Sequence, residues 1–238
     1  MSVDMKNSQA VLLAARFRAE DELSLGRTVE VVANAARATH GILDRAIANL
    51  TAEIEAIGPV ACRQGCNWCC HQHVAVLGAE ALAIHLRIKG TPAEQRLRTL
   101  APEINRLSAR ERRRAKIPCP FVDAKEGCTI YDVRPNRCRA VHSRDADYCF
   151  RRFDGVENEP VAVDKPIPVE PVEAGDAALA GLGQALNQYG IPTEPLEMVH
   201  ALFLLTTDPE AGSAYAAGDD ALAAARLPQA LEHSSGSD

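Results

Sequence analysis

Apolar residues recur at helical spacing along the first quarter of the chain. The clearest series starts at Val32, continues in steps of three or four residues, and ends at Ile57. A series with this period places its apolar members on one face of a helix. It therefore predicts one or two long amphipathic helices over residues 8–57, with a break near residues 24–26. Gly58 and Pro59 follow in the order that ends a helix.

A second block of helical pattern lies between residues 74 and 113. Residues 74–77 (VAVL) predict a short extended entry, and a helix follows over 79–89, ended by Gly90. Thr91, Pro92 and Glu94 then have the order of a capping box with proline at the first helical position. We expect one helix from there to about residue 113. Its core-facing stripe would be Leu97, Leu100, Ile104 and Leu107.

The pattern changes to turns and short irregular pieces over residues 117–153. Three prolines exclude a continuous helix there, and residues 123–127 (DAKEG) predict a tight turn. Residues 157–173 alternate proline, valine and acids, which favours an extended strap or linker. Helical signals return over 174–189, from Thr193 as a predicted N-cap to about 205, and over 211–227.

These elements predict a mostly α fold in which helices frame an irregular, cysteine-rich metal-binding loop region, with few or no short strands. The predicted divisions are N-terminal helices over 1–57, a cysteine-cluster metal-binding region over 58–155, an extended linker or strap over 156–173 and an acidic helical C-terminal extension over 174–238. Residues 1–57 and 58–155 are expected to form one domain. The low aromatic content of 4% agrees with packed, alanine-rich helices.

Charge is divided unevenly along the chain. Residues 1–155 carry a net charge of +6 and the remainder −12. Residues 110–116 (RERRRAK) form the most basic run, which is interpreted as a solvated helix end, with an acidic partner or nucleic acid as the alternative. We expect no nucleic-acid partner and no membrane partner, and a protein partner is left open. Without a long apolar segment or a recognisable signal peptide, the chain is predicted to be cytoplasmic.

Eight cysteines in two groups carry the candidate chemistry. Residues 62–70 (CRQGCNWCC) hold Cys62, Cys66, Cys69 and Cys70, and the irregular region holds Cys119, Cys128, Cys138 and Cys149. In a reducing compartment clustered thiols are more often metal ligands than disulfides, and adjacent cysteines bridge each other only with strain. All eight are therefore predicted metal ligands, with a disulfide framework as the minor alternative.

Thiolates suit zinc or an iron–sulfur cluster equally well, and both remain open with a small preference for iron–sulfur. The spacing C-x3-C-x2-C can offer three thiolates to a four-iron cluster, whereas two four-thiolate zinc sites would also use all eight. Since adjacent side chains diverge, Cys69 and Cys70 are not expected to serve one ion in the same way. His71, His73 and His142 could complete a mixed site or hydrogen-bond sulfur. Trp68 is predicted to shield the site or to anchor its loop.

Residues 62–70 together with CPF, CTIYDVRPNRCRA and a later cysteine resemble the YkgJ-like cysteine-cluster family, described as a zinc- or iron-chelating domain. The resemblance covers about residues 62–149 and implies the same metal ligands, with no defined activity. Flagellin lysine N-methylase is similar over the cysteine motif, so a metalloenzyme that modifies a protein is the alternative function. Radical S-adenosylmethionine enzymes share the C-x3-C-x2-C spacing, but the strand–helix alternation of their barrels is missing here. Whether the protein is an enzyme stays open.

Overall fold

The computed structural model describes residues 7–63, 65–154 and 167–227. Within these ranges the chain forms ten α-helices and one sheet of two short strands, which confirms the mostly α prediction. In chain order the helices are α1 (Ser8–Leu23), α2 (Val29–Ile57), α3 (Gly78–Ile88), α4 (Pro92–Ile104), α5 (Ala109–Ala115), α6 (Asn136–Ala140), α7 (Ala146–Asp154), α8 (Val169–Gln188), α9 (Met198–Thr207) and α10 (Ala211–Ala217). The strands are β1 (Ala75–Val76) and β2 (Leu196–Glu197).

The N-terminal helices follow the sequence pattern closely. Helices α1 and α2 are separated at the predicted break, and the side chain of Thr28 caps α2 by accepting a hydrogen bond from the Val31 N–H. Helix α2 ends at Ile57, directly before Gly58. The chain therefore enters the first cysteine group from a fixed helix end.

Helix α8 packs against both N-terminal helices and against α6. Its Gly181 lies so close to α1 that an added Cβ would be 2.4 Å from the Leu12 carbonyl oxygen. Helix α8 starts at Val169, so the end of the predicted strap is helical, while residues 155–166 lie outside the described ranges. The acidic C-terminal helix is thus part of the same packed core as the N-terminal helices.

A second layer of the fold consists of elements from the middle of the chain packed against elements from its C-terminal part. Strand β1 pairs antiparallel with β2, with Ala75 opposite Glu197, and α3 packs against α9. The prediction of Thr193 as an N-cap is wrong, because the Glu197 side chain caps α9 by accepting from the His200 N–H. The predicted 211–227 helix is shorter, since α10 ends at Ala217 and a 3₁₀ turn follows at Ala223–Ala225.

The predicted 92–113 helix is two helices. Helix α4 ends at Ile104, and Ser108 starts α5 with a capping box in which Ser108 and Glu111 satisfy each other's backbone N–H groups. The predicted box at Thr91 is also altered. Glu94 accepts from the Gly90 N–H at 2.6 Å, while the Thr91 hydroxyl donates to the Ile88 carbonyl.

The region expected to be irregular contains two helices. Helices α6 and α7 carry Cys138 and Cys149, whereas Cys119 and Cys128 lie outside the helices, with Cys128 in an isolated β-bridge to Val122. The tight turn is confirmed, because the Asp123 N–H donates to the Gly127 carbonyl at 2.9 Å. Across the described ranges no helix combines the length and apolarity that crossing a bilayer requires.

Candidate metal centre

The first cysteine group sits on a loop and a 3₁₀ turn. Gly65 adopts a left-handed backbone conformation with φ of +87°, which bends the chain between Cys62 and Cys66. A 3₁₀ turn at Trp68–His71 then carries Cys69 and Cys70. Local backbone hydrogen bonds hold these turns, including one of 2.8 Å from the Cys70 N–H to the Asn67 carbonyl.

Backbone contacts join the two cysteine groups at two places. The Cys119 N–H donates to the Cys70 carbonyl at 2.7 Å. At the other place Ser143 accepts from the Ala61 N–H at 2.7 Å and donates its own N–H to the Cys62 sulfur at 3.2 Å. The fold therefore brings together segments that are far apart in sequence.

Cys62, Cys66 and Cys149, here called the Ser143 set, are electrostatic neighbours. Burial raises the pKa of Cys62, and the charges of Cys66 and Cys149 raise it further. The pKa of Cys149 is raised by burial and then by the charge of Cys66, while a hydrogen bond with Ser143 lowers it. Helix α7 supplies Cys149 to this set.

Cys119, Cys128 and Cys138, here called the Arg134 set, form a second neighbourhood. Burial raises the pKa of Cys138 well above its usual value, and the charges of Cys119 and Cys128 add to this. Burial also raises the pKa of Cys119 to about 12. The positive charge of Arg134 acts in the opposite direction on Cys128 and Cys138.

The adjacent pair Cys69 and Cys70 lies between the two sets. A hydrogen bond between the two side chains, and then burial, raise the pKa of Cys69. The charge of Cys69 acts on Cys62 and Cys149 in the Ser143 set and on Cys128 and Cys138 in the Arg134 set. Cys70 is tied to the Arg134 set through its carbonyl bond with Cys119.

All eight cysteines are free thiols in the structure. As they stand in the described ranges, no three histidine, cysteine, aspartate or glutamate side chains form a group that could hold a metal ion. The donor chemistry nevertheless fits a thiophilic metal. A buried thiol with a raised pKa keeps its proton at neutral pH unless a metal displaces it. Metal binding would therefore require the sulfur atoms of each set to move closer together.

Two histidines beside the first group each carry a buried ring nitrogen that has no partner in the described part of the chain, His71 Nδ1 and His73 Nε2. Burial lowers the pKa of both imidazoles, and the positive charge of Arg112 lowers it further. His142 lies 3.3 Å from the Ala140 carbonyl through Nδ1. His71 and His73 are thus held in the neutral form that can accept a hydrogen bond or bind a metal.

Trp68 anchors helix α7 to the first cysteine group. Its ring centroid lies 5.1 Å from those of Phe150 and Phe153, and the Phe153 centroid lies 4.5 Å from that of His71, with the two rings tilted. Both phenylalanines follow Cys149 on α7. The predicted anchoring role of Trp68 therefore has a structural basis, because its ring contacts attach the helix that carries Cys149.

The three arginines of residues 134–139 (RPNRCR) have different roles. Arg134 stacks on Tyr131 at 4.0 Å and acts electrostatically on the cysteines, whereas Arg137 pairs with Asp176 at 2.7 Å. Arg139 donates to both carboxylate oxygens of Asp44 at 2.6 and 2.8 Å, and its Nε donates to the Arg134 carbonyl at 2.7 Å. The last bond fixes the backbone at the start of the turn that leads to Cys138.

Sequence reasoning missed three buried charged residues near the site. Glu80 is fully buried in α3. The presence of a single glutamate in this largely apolar helix was a signal in the sequence that could have identified it. Arg112 is fully buried and lies near the buried Glu197. The interpretation of residues 110–116 as a solvated helix end is therefore wrong for Arg112, because α5 turns that one side chain into the protein.

Residues 61–157 match the family model described as "CxxCxxCC: Putative zinc- or iron-chelating domain". The match covers all eight cysteines and supports metal binding in general terms. The match is consistent with the predicted resemblance of this segment to a cysteine-cluster family. Comparison with curated proteins and with solved structures gave no significant match.

Proposed function

Because residues 61–157 match the CxxCxxCC cysteine-cluster family, we propose that the protein binds zinc or an iron–sulfur cluster through thiolates drawn from both cysteine groups. The observation that carries the proposal is the joining of the groups by backbone hydrogen bonds, above all Cys119 N–H to the Cys70 carbonyl at 2.7 Å. Such a bond brings ligands from residues 62–70 and from the later segment into one neighbourhood without any help from the metal.

The two sets suggest two centres of four thiolates each. Cys62, Cys66 and Cys149 would form one centre with Cys69, and Cys119, Cys128 and Cys138 would form the other with Cys70. Each centre then has the four sulfurs that structural zinc and four-iron clusters require. This division also meets the expectation that two adjacent cysteines serve different ions.

The chain's own residues prepare this chemistry. The Ser143 N–H supplies a hydrogen bond to the Cys62 sulfur, and Arg134 places a positive charge beside the other set. Both features favour thiolate over thiol. A bound metal would supply cross-links in a loop-rich region, and an iron–sulfur cluster would in addition carry electrons.

The methyltransferase alternative needs a cavity beside the cysteines. The surface cavity formed by Asn187, Ile191 and Arg226 has no cysteine in its wall. Metal binding is the function that the match over residues 61–157 supports.

Anaerobic purification followed by metal and sulfide analysis tests the proposal. Brown protein with iron and acid-labile sulfide would assign an iron–sulfur cluster, and colourless protein with zinc would assign zinc sites. Replacement of all eight cysteines by serine is the matched control and should abolish binding. Wild-type protein that holds neither metal, even after anaerobic reconstitution with iron and sulfide or with zinc, would contradict the proposal.

A further inference from the structure

Arg112 is a buried cation whose partners are incomplete. Its side chain has no solvent exposure, although Arg110 and Arg114 on the same helix are exposed. Its Nη1 lies 3.5 Å from the Glu197 carboxylate, a long contact for an ion pair. Its Nε and Nη2 atoms are buried and have no hydrogen-bond partner among the described residues.

Glu197 also caps helix α9, and this second interaction limits its pairing with Arg112. Its other carboxylate oxygen caps α9 by accepting from the His200 N–H at 2.8 Å. Burying a guanidinium beside one distant carboxylate is costly, since its remaining N–H groups lose their water without replacement. A structural ion pair alone therefore does not account for the position of Arg112.

The electrostatic neighbours of Arg112 indicate which hydrogen-bond acceptors it lacks. Its charge acts on His71 and His73, which follow the first cysteine group, and the charges of Cys119 and Cys70 act on Arg112 in return. Cys70 and Cys119 are also the two residues joined by a backbone hydrogen bond. Arg112 is therefore an electrostatic neighbour of the two residues at which the cysteine groups meet.

We propose that Arg112 is a positioning residue that donates its free N–H groups to the thiolates of Cys70 and Cys119 in a metal-loaded centre. The inference rests on the proposed function, because only metal binding replaces the thiol protons and creates acceptors there. A four-thiolate zinc site or four-iron cluster has net negative charge, and a buried cation offsets part of it. Hydrogen bonds to metal-bound sulfur also orient the ligand and strengthen the site.

The experiment compares metal loading in three forms of the full chain. Arg112→Met together with Glu197→Gln removes both charges at similar volume, so that neither is left buried alone. Arg112→Lys keeps the charge but loses the planar fork of donors. Arg110→Met is the matched control, since Arg110 is exposed on the same helix.

Metal affinity is measured by chelator competition, and the pH at half-loading is measured for the metal found in the wild type. We expect the double variant to bind the metal of the Cys70 centre at least tenfold more weakly. Its half-loading pH should be higher, because the thiolates lose a stabilising charge. Arg112→Lys should recover part of the affinity, and Arg110→Met should match the wild type.

The outcomes separate the two proposals. A wild type that binds no metal removes both the function and the role of Arg112. A wild type that loads normally, with a folded double variant of equal affinity and equal half-loading pH, overturns the role of Arg112 alone. If the double variant does not fold, Arg112→Lys decides, and wild-type affinity and half-loading pH in that variant would overturn the proposal.

Discussion

The Asn136 N–H donates to the buried carboxylate of Glu80 across 2.8 Å, and this bond fixes the start of the helix that carries Cys138. Glu80 has no solvent exposure. It also accepts from the Leu77 N–H at 3.1 Å and lies 3.4 Å from His40 Nε2. One carboxylate therefore connects α2, α3 and α6 behind the second cysteine group.

Replacement of Glu80 should destabilise the fold. Glu80→Ala removes the acceptor of two buried N–H groups, each worth about 1–3 kcal/mol when left unsatisfied, so we expect the free energy of unfolding to fall by about 3 kcal/mol. Glu80→Gln keeps one carbonyl acceptor and should lose less. Urea unfolding of the metal-free protein measures the effect, with Glu103→Ala on the exposed face of α4 as control. Equal stability of Glu80→Ala and wild type would contradict this role.

The contact between α1 and α8 depends on a missing side chain. An added Cβ at Gly181 would lie 2.4 Å from the Leu12 carbonyl oxygen and 2.9 Å from the Ala15 Cβ. Gly181→Ala should therefore destabilise the protein by about 1–3 kcal/mol, a typical cost of overpacking. Gly183 lies in the same helix, and its added Cβ would meet only Leu77 Cδ1, at 3.8 Å.

Gly183→Ala is thus the control, and it should be neutral or stabilising by up to about 1 kcal/mol because alanine favours the helix. Thermal unfolding of both variants gives the comparison. Equal melting temperatures for the two variants would show that the helices separate easily at this point.

Glu94 should make stability depend on pH. The bond from the Gly90 N–H, followed by the pairing with Arg98, holds the pKa of this carboxyl below its ordinary value. A carboxyl whose pKa is lowered by folding stabilises the protein above its unfolded pKa, and this contribution is lost as the pH falls through the folded pKa. Glu94→Gln should therefore lower stability at pH 7 and have little effect near pH 3.

Urea unfolding at the two pH values measures this difference, with Glu103→Gln as an exposed control on the same helix. A loss of stability at pH 3 as large as that at pH 7 would assign the effect to side-chain packing and exclude the charge.

Much of the fold could be predicted because its signals are local. The break between α1 and α2, the end of α2 before Gly58 and the turn at Asp123 each depend on a few neighbouring residues. The N-cap of α9 was missed because Glu197 is fixed there by strand pairing with β1, a contact from far along the chain.

The candidate site could be predicted as a set of residues and less well as an arrangement. Spacing indicated that Cys119 would return to the first group, and its bond to the Cys70 carbonyl agrees with this. The burial of Arg112 could not be read from a run of four arginines and a lysine, because only the docking of α5 selects which one points inward. In the same way, the proximity of Cys62 and Cys149 depends on how the chain runs from α6 to α7, which is a tertiary feature.

Single cysteine substitutions should separate the two proposed centres. Cys66→Ser should remove the metal of the Ser143 set, and Cys138→Ser should remove that of the Arg134 set. Each variant should keep about half of the wild-type metal, since each centre is built from its own four thiolates. Metal analysis per chain gives the ratio, and the two variants are controls for each other. Loss of all metal in either variant would indicate one shared centre, and no loss in Cys66→Ser would contradict the site assignment.

Trp68, the only tryptophan, should report on the attachment of α7. None of the residues of this helix is buried, and its ring contacts with Trp68 leave it weakly held by packing alone. If Cys149 binds metal, the metal is a second attachment. Chelation should then release α7 and make Trp68 more accessible to acrylamide quenching. Cys149→Ser should give the same accessibility without chelator, whereas Cys128→Ser should keep the wild-type value because Cys128 belongs to the other set. Equal quenching before and after chelation would mean that the aromatic contacts hold α7 without the metal.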